Sequence, residues 1–207
     1  MGFYSRYIYP TLMNWVLGNS RISNYRKNLL QEVHGKVLEI GFGTGLNLPH
    51  YPDTLEQFHV VDPHPAMKGR AKKRISQFPI RVEYHQASAA TLPFENQSFD
   101  AVVSTFTLCS IPKVELALSE AHRVLRNRGR FYFLEHGLAD DHAVQKRQHR
   151  YTPLNKRLAD GCHLNRDIIS LIDQAGFKLV DLKKFYHFGV PKVAGFFYQG
   201  IAEKIGG

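Results

Sequence analysis

A ten-residue stretch, Lys36–Gly45, decides the fold; it reads KVLEIGFGTG. Its first half, Lys36–Ile40, is short and mostly apolar, which predicts a buried β-strand. Its second half places glycines at positions 41, 43 and 45, and glycine lets the backbone approach a ligand closely and adopt positive φ. Ligands of open parallel sheets bind beyond the carboxyl ends of the strands. The stretch therefore predicts an α/β protein with a ligand-binding loop after its first strand.

Strand and helix patterns alternate along the rest of the chain. Further strands are predicted at Gln57–Asp62, Ile80–His85, Phe99–Thr105, Arg130–Glu135, Phe177–Phe185 and Val193–Ala202. Helices are predicted at Ala66–Phe78, Val114–Leu125 (ended by Gly129) and Asn165–Ala175, with a weaker helix or turn at Leu46–Leu55. We therefore expect a Rossmann-like α/β fold: a seven-stranded, mostly parallel sheet with helices on both faces and the last strand antiparallel at the edge.

The chain is long enough for one domain with a substantial core. We expect a single domain over residues 1–207, built from an N-terminal helical arm or cap (residues 1–33) and a Rossmann-like core (residues 34–207). Residues 139–165 are polar, rich in His and Arg and almost without pattern, which favours a substrate-side insertion. The apolar run Ile8–Leu17 is short and interrupted by Pro10 and Asn14, so it predicts neither a membrane span nor a signal peptide.

Composition narrows the classes of partner. Lys and Arg number 27 against 18 Asp and Glu, a net charge of +9, which is typical of either a solvated basic surface or attraction to an anionic membrane surface, nucleic acid or ligand. Nucleic acid is not expected, because zinc-finger spacing and an Arg/aromatic platform are both absent. The two cysteines, Cys109 and Cys162, form no CxxC pair, so a reducing cytosol is the simplest setting. The histidines show no metal-ligand spacing, and no metal is expected.

The glycine spacing separates classes of nucleotide ligand. A dinucleotide loop needs G-x-G-x-x-G, but its third glycine would fall on Leu46 or Leu48, and there is no Walker lysine. The pattern from Glu39 to Gly45 is E-x-G-x-G-x-G, which resembles motif I of class I S-adenosylmethionine (SAM)-dependent methyltransferases. The resemblance implies that Asp62, at the end of the second strand, accepts the ribose hydroxyls, and that Glu39 lies near the methionine ammonium.

The resemblance extends beyond the glycine loop. Gln86–Phe94 with Ser98–Asp100 resembles the adenine-side segment of the ubiquinone/menaquinone methyltransferase superfamily, although Ser88 stands where an acid or Asn is usual, so the backbone around Ala89 can serve instead. Arg123–Arg130 resembles that family's R-V-L-K-P-G-G turn. The residues assigned to SAM, which would leave as S-adenosylhomocysteine, are Glu39, Gly41, Gly43, Thr44, Gly45, Asn47, Asp62, Pro63, Met67, Ser88, Ala89 and Thr105.

Three further segments carry a narrower likeness. Thr105–Ile111, Phe131–His136 and Asp160–Arg166 resemble the methyltransferase-like seven group of membrane-associated alkyl-thiol methyltransferases, which implies a small, largely apolar acceptor with a thiol nucleophile. The first candidate for a base or orienting group is His136, with Asp160 and His163 as second choices and Phe106 as a wall of the methyl-transfer site. Cys109 has the commoner interpretation of a small buried hydrophobe.

Other functions stay open at this point. A quinone-type or phospholipid-headgroup methyltransferase is one alternative, and a non-catalytic SAM-binding regulatory subunit is another. The basic stretch Gln145–Arg150 is either a solvated helix face or an anion-attracting surface. We expect a cytoplasmic protein acting on a small-molecule acceptor, with peripheral contact to an anionic membrane surface as an alternative.

Overall fold

The structure, a computed structural model, describes residue 14 and residues 16–205, without the side chains of residues 65, 66 and 68. Most of the first half of the predicted N-terminal arm therefore lies outside the described residues. Its second half contains helix α1 (Ser20–Leu30), which begins at Asn19, whose side chain accepts hydrogen bonds from the backbone of Arg21 and Ile22. Such an N-cap satisfies amide groups that the first helical turn leaves unpaired.

The core is one sheet of seven strands. They are β1 (Lys36–Ile40), β2 (Gln57–Val61), β3 (Val82–His85), β4 (Phe99–Thr105), β5 (Leu125–His136), β6 (Phe177–Tyr186) and β7 (Phe196–Lys204). Their order is β3-β2-β1-β4-β5-β7-β6. The first five strands pair in parallel, whereas β7 is antiparallel to both β5 and β6. The order reverses between β1 and β4, which is the switch point where open sheets bind ligands.

The closing pair of strands differs in detail from the expectation. The pair is antiparallel and lies at one end of the sheet, but β6 is the outermost strand and the last strand, β7, lies inside it. Burial explains the order, because eight of the nine residues of β7 are buried. By contrast, β6 buries only its first residue, Phe177, and its other residues are half-buried or exposed. The strand also carries three lysines, Lys178, Lys183 and Lys184, and charged side chains of this kind protect an open edge.

Helices cover both faces of the sheet, as the sequence predicted. Besides α1 they are α2 (Pro65–Gln77), α3 (Val114–Val124), α4 (His142–Leu158) and α5 (Ile168–Gln174), with a short 3-10 helix at Leu48–His50. One buried apolar cluster joins the sheet to α3, α4 and α5, and a second joins the opposite face to α1, α2 and the 3-10 helix. Neighbouring β1 residues divide between them: Leu38 packs in the first and Val37 in the second. The expected fold class is confirmed.

Helix α4 occupies the segment for which the sequence showed little pattern. It begins at Asp141, whose carboxylate accepts from the amides of Ala143 and Val144. Its buried residues, one helical turn apart, are Val144, Gln148 and Thr152. Two of these three residues are polar, so the buried face shows no apolar repeat. Gln148 is buried because its amide accepts from Ala139 N at 2.9 Å and donates to Gly137 O at 2.8 Å.

The junction of α3 and β5 corrects the predicted start of that strand. The helix ends at Val124, next to the predicted end at Leu125, but β5 begins at Leu125 and not at Arg130. The extra residues form an irregularity, because Phe99 pairs with Leu125 while Ala101 pairs with Arg130. Arg128 adopts φ +63° within it. Within the described part of the chain, no helix combines the length and apolarity needed to cross a membrane.

Candidate active site

A cavity of about 620 Å³ opens beyond the carboxyl ends of the central strands. Among its lining residues are Glu39, Gly41, Gly43, Thr44, Asn47, Asp62, Pro63, Met67, Ser88, Ala89 and Thr105, all assigned to the cofactor, and the catalytic candidates Phe106, His136 and Asp160. Asn14 and Leu17, which precede α1, also line it. The chain therefore brings most of the predicted residues to one space at the switch point of the sheet.

The glycine loop is shaped by two different requirements. Gly41 and Gly43 both have positive φ, +72° and +56°. A Cβ at Gly41 would come within 2.1 Å of the Thr107 side chain, so this position needs glycine for close approach of two loops. A Cβ at Gly43 would lie 3.9 Å from its nearest neighbour, so no packed residue excludes a side chain there. Such a side chain would instead occupy part of the cavity, which Gly43 lines.

Asp62 fixes that loop from the end of β2. One carboxylate oxygen accepts from Gly43 N and the other from His64 N, each at 2.8 Å. Burial raises the pKa of Asp62, although these two amide hydrogen bonds act in the opposite direction. Each carboxylate oxygen can accept more than one hydrogen bond, so Asp62 can hold the loop and still accept from a ligand in the cavity.

Glu39 lies at the end of β1 and is fully buried. Its carboxylate accepts from the Asn47 side-chain amide at 3.0 Å and from the Tyr51 hydroxyl at 2.8 Å. Burial raises the pKa of Glu39 to about 8, because the charged form loses its hydration. Tyr51 was not singled out from the sequence, since nothing in the stretch after the loop marks it as a partner of Glu39.

A buried arginine from α1 was also missed. Arg26 is 2% exposed, donates to Asn47 Oδ1 at 2.8 Å and to Leu17 O at 2.6 Å, and places its guanidinium 5.5 Å from the centre of the Phe106 ring. Burial lowers the pKa of Arg26 to about 10. A signal was available: Arg26 shares the helical face of buried Ile22 and Leu30, where a charged residue needs partners.

The loop after β4 forms the opposite wall. Thr107 N donates to Glu135 at 3.0 Å and Leu108 N does so at 3.1 Å, while Arg166 donates to the carbonyls of Leu108 and Ile111. Burial raises the pKa of Glu135 to about 7. The loop is thus held by two buried side chains, Glu135 on its amides and Arg166 on its carbonyls. Phe106, at φ +52°, begins it and lines the cavity.

At the far end of this wall lies a cluster of sulfur and nitrogen atoms. His136 Nε2 is 3.0 Å from Cys162 Sγ, and the ligand atoms of Cys109, His136 and Cys162 all lie within 4.8 Å of one another. A hydrogen bond from Cys162 lowers the pKa of Cys109 well below its ordinary value and raises that of Cys162. Burial alone would lower the pKa of His136, but the charge of a neighbouring Cys109 thiolate and a hydrogen bond to it raise the pKa overall.

Comparison with known proteins agrees with this geometry. Residues 38–133 match the methyltransferase domain family. The chain is 32% identical over 187 residues to thiol S-methyltransferase TMT1A of Homo sapiens, covering 81% of this chain and 73% of that protein. The chain belongs to the class I SAM-dependent methyltransferases. It is also 34% identical over 109 residues to phosphatidylethanolamine N-methyltransferase of Cereibacter sphaeroides, covering 51% of this chain and 53% of the relative.

A solved methyltransferase shows the same fold. Phosphoethanolamine N-methyltransferase 2 of Haemonchus contortus, solved with phosphomonomethylethanolamine and S-adenosylhomocysteine, superposes with a TM-score of 0.71 at 18% identity, over 99% of this chain and 60% of that one. The expected enzyme class and the SAM cofactor are confirmed. The methyltransferase cavity fits SAM, since Gly43 leaves space beside Asp62 and Glu39 offers a carboxylate to an ammonium.

Two predicted residues of the methyltransferase do not line the cavity. A Cβ on Gly45 would lie 3.1 Å from the Phe42 ring and 3.2 Å from Leu48, so this glycine, at φ +75°, serves packing behind the loop. His163 donates its backbone amide to Cys109 O at 2.9 Å and places Nδ1 3.2 Å from the same oxygen. Its contacts therefore support the Cys109 loop from behind instead of facing a substrate.

Proposed function

We propose that this methyltransferase transfers the methyl group of SAM to the thiol sulfur of a small, largely apolar acceptor. The observation that carries the proposal is the composition of the cavity beyond the cofactor residues. Its walls there are apolar, and they end on the buried group of Cys109, His136 and Cys162. The similarity to a human protein named as a thiol S-methyltransferase supports the same acceptor.

The apolar walls suit the reaction. The sulfonium of SAM is already activated, so the enzyme's tasks are to align the acceptor sulfur with the methyl group and to exclude water. Leu17, Leu46, Phe106, Ile111 and Pro112 line the cavity and can enclose an alkyl or aryl group next to the sulfur. Arg26, over the Phe106 ring, fixes the position of that wall.

The polar end of the cavity suits the deprotonation that a thiol requires. A thiolate, and not a thiol, attacks the methyl carbon. His136 is the buried imidazole at this end, in contact with both cysteines, and it can take up the proton or stabilise the thiolate by its charge. Asp160 also lines the cavity but is exposed, at φ +46°, so a proton can pass from the site to solvent on that side.

A panel of acceptors tests the proposal. Purified enzyme with SAM is offered an alkyl thiol, inorganic sulfide, a quinol and an aminophospholipid, and methylated products are identified by mass spectrometry. We expect S-methylation of the alkyl thiol, at a rate that rises with the size of its apolar group. Gly43→Val, in which we expect the new side chain to block SAM binding, is the control variant and should give no methylated product. Turnover confined to carbon, oxygen or nitrogen acceptors would refute the thiol assignment.

A second candidate is methylation of a lipid headgroup or a quinol at a membrane surface. Helix α4 favours it, because Tyr151, Leu154 and Leu158 are exposed on a helix that also presents Lys146 and Arg150 to solvent. Flotation with vesicles containing anionic lipid tests it, since such binding should weaken as salt rises. Binding combined with turnover of the aminophospholipid or quinol would support this candidate. Cofactor binding without turnover of any acceptor would instead indicate a regulatory subunit.

A further inference from the structure

Three soft metal ligands meet at the acceptor end of the cavity. Cys109 comes from the loop after β4, His136 from the end of β5 and Cys162 from the loop after α4. All three side chains are buried, all three line the cavity, and their ligand atoms lie within 4.8 Å of one another. Thiolate and imidazole are the ligands that zinc prefers in proteins. Because the three residues are far apart in sequence, their spacing gave no indication of a metal site.

The separation of these atoms fits a tetrahedral ion. With zinc–sulfur and zinc–nitrogen bonds of the usual length, two ligand atoms of a tetrahedral site lie about 3.6–3.8 Å apart. His136 Nε2 and Cys162 Sγ are 3.0 Å apart, and every pair is within 4.8 Å. Small rotations of the side chains would suffice to bind the ion. The Nδ1 atom of His136 has no partner among the described residues, so the ring can present either nitrogen.

The backbone that carries the ligands is fixed by further hydrogen bonds. Arg166 and Glu135 hold the Cys109 loop, and His163 N donates to Cys109 O at 2.9 Å. Asn155 donates to Cys162 O at 2.9 Å. Partners that orient the ligands in this way are usual around metal sites, because they place the donor atoms before the ion arrives.

A second group of potential metal ligands among the described residues is a weaker candidate than the cysteine cluster. His59, Glu83 and His85 also lie within reach of a common ion, but they contain no thiol, lie outside the cavity, and include an exposed Glu83. The cysteine cluster differs in charge as well. Two buried thiolates without a cation would be costly, whereas a divalent ion balances both.

We propose that Cys109, His136 and Cys162 bind one zinc ion, and that the acceptor thiol occupies its fourth, cavity-facing position as a thiolate. Three protein ligands with one open position are the arrangement of catalytic zinc, and a coordinated thiol is deprotonated at neutral pH. The inference rests on the proposed function, and it assigns the proton removal to the ion, with His136 as a ligand instead of a base.

The transfer step balances without another reactant. The acceptor thiol binds to zinc and releases its proton to solvent past Asp160 at the cavity mouth. The thiolate sulfur then donates an electron pair to the methyl carbon, forming the new S–C bond. The bond from that carbon to the sulfonium breaks, and its electron pair neutralises the positive sulfur to give S-adenosylhomocysteine. The product is a neutral thioether, a weaker zinc ligand than a thiolate, and it leaves the ion.

Metal binding is measured directly on the reduced, full-length enzyme. Zinc is removed with a chelator, and Co²⁺ is titrated while the absorption spectrum is followed. We expect about one equivalent per chain, with thiolate-to-cobalt charge-transfer bands and the intense visible bands of tetrahedral cobalt. Adding an alkyl thiol should shift those bands, because it replaces water in the fourth position. Zinc should also raise the melting temperature of the apoenzyme.

Matched variants locate the ion. Cys109→Ser and Cys162→Ser should each lower cobalt binding to below about one tenth of an equivalent, while calorimetric binding of SAM shows that they are folded. His85→Gln, in the other group, should bind cobalt normally. Binding lost in His85→Gln but kept in the cysteine variants would overturn the proposal, as would the absence of charge-transfer bands in the wild-type enzyme.

The two proposals can fail separately. If the wild-type enzyme binds no metal and still methylates thiols, the zinc site is refuted and the thiol function stands. If cobalt binds at the cysteines but no thiol is methylated and none shifts the spectrum, the metal site stands and the thiol function is refuted.

Discussion

Replacing Glu39 with glutamine should raise the folding stability of the cofactor-free enzyme and lower its affinity for SAM. The wild-type carboxyl has a pKa of about 8 because it is fully buried, against 4.5 for the free group. Below pH 4.5 the acid is protonated in both the folded and the unfolded chain. As the pH rises from there to 8, the unfolded chain ionises first, so the folded state loses relative stability across that interval.

The size of the effect follows from this difference. Each pKa unit corresponds to about 1.4 kcal/mol, so the buried acid costs the cofactor-free enzyme about 3 kcal/mol at pH 7. Glu39→Gln removes the ionisation and keeps the shape. The new amide can accept from Asn47 with its oxygen and donate to the Tyr51 hydroxyl, which stand at 3.0 and 2.8 Å from the native carboxylate. The variant should be up to about 3 kcal/mol more stable at pH 7 and about equal to wild type near pH 4.

Cofactor binding should change in the opposite direction. We expect the Glu39 carboxylate to face the ammonium of SAM, so its loss should lower the affinity by about tenfold or more. Urea unfolding of the apoenzyme at several pH values and calorimetry with SAM measure the two effects. Glu56→Gln, at an exposed position, is the control and should change neither. Parallel pH profiles for wild type and Glu39→Gln would refute the reasoning, because Glu39 would then ionise as it does in water.

Three further variants probe the glycine loop and the partners of Gly43 and Glu39. Gly43→Val places a branched side chain at φ +56° in the cavity and should abolish SAM binding in calorimetry, whereas Gly69→Val, whose Cβ would meet nothing within 4 Å, should retain it. Asp62→Ala leaves the Gly43 amide unpaired and should cost about 1–3 kcal/mol in urea unfolding, with a parallel loss of SAM affinity; wild-type values in both would contradict its role. Tyr51→Phe removes a hydrogen bond that lowers the pKa of Glu39, so in urea unfolding the loss of stability with rising pH should begin at the same pH as in wild type and continue to a higher pH.

The sequence was informative where the structural cause is local. The strand Lys36–Ile40, its glycines and Asp62 are close in the chain, and the requirement for small residues and a terminal acid can be read from their order. The same holds for α3, whose buried face repeats at helical spacing. Its end was predicted to within one residue, but the start of β5 was placed at Arg130 because Gly129 is a usual stop signal, whereas Leu125 turns directly into the strand.

The sequence was uninformative where distant parts of the chain meet. Helix α4 was anticipated only as one interpretation of Gln145–Arg150, because Gln148 and Thr152 are buried through hydrogen bonds, which leave no apolar period to detect. The grouping of Cys109, His136 and Cys162 depends on three loops from different elements. Arg26 reaches the cavity only because α1 packs over it. In each case the determining contact is tertiary; the position of Arg26 on the buried face of α1 indicates that it has partners, but not which ones.

The position of β7 between β5 and β6 has a consequence for biosynthesis. One edge of β5 pairs with β4, but its other edge, at residues 130–136, and the strand β6 pair with Phe196–Lys204. Until a ribosome has released that segment, the emerging chain carries a buried strand with one open edge and a second strand without its neighbour in the sheet. The acceptor wall at His136 is therefore completed late, and nascent chains that stall before Phe196 should be the ones that chaperones and proteases recognise.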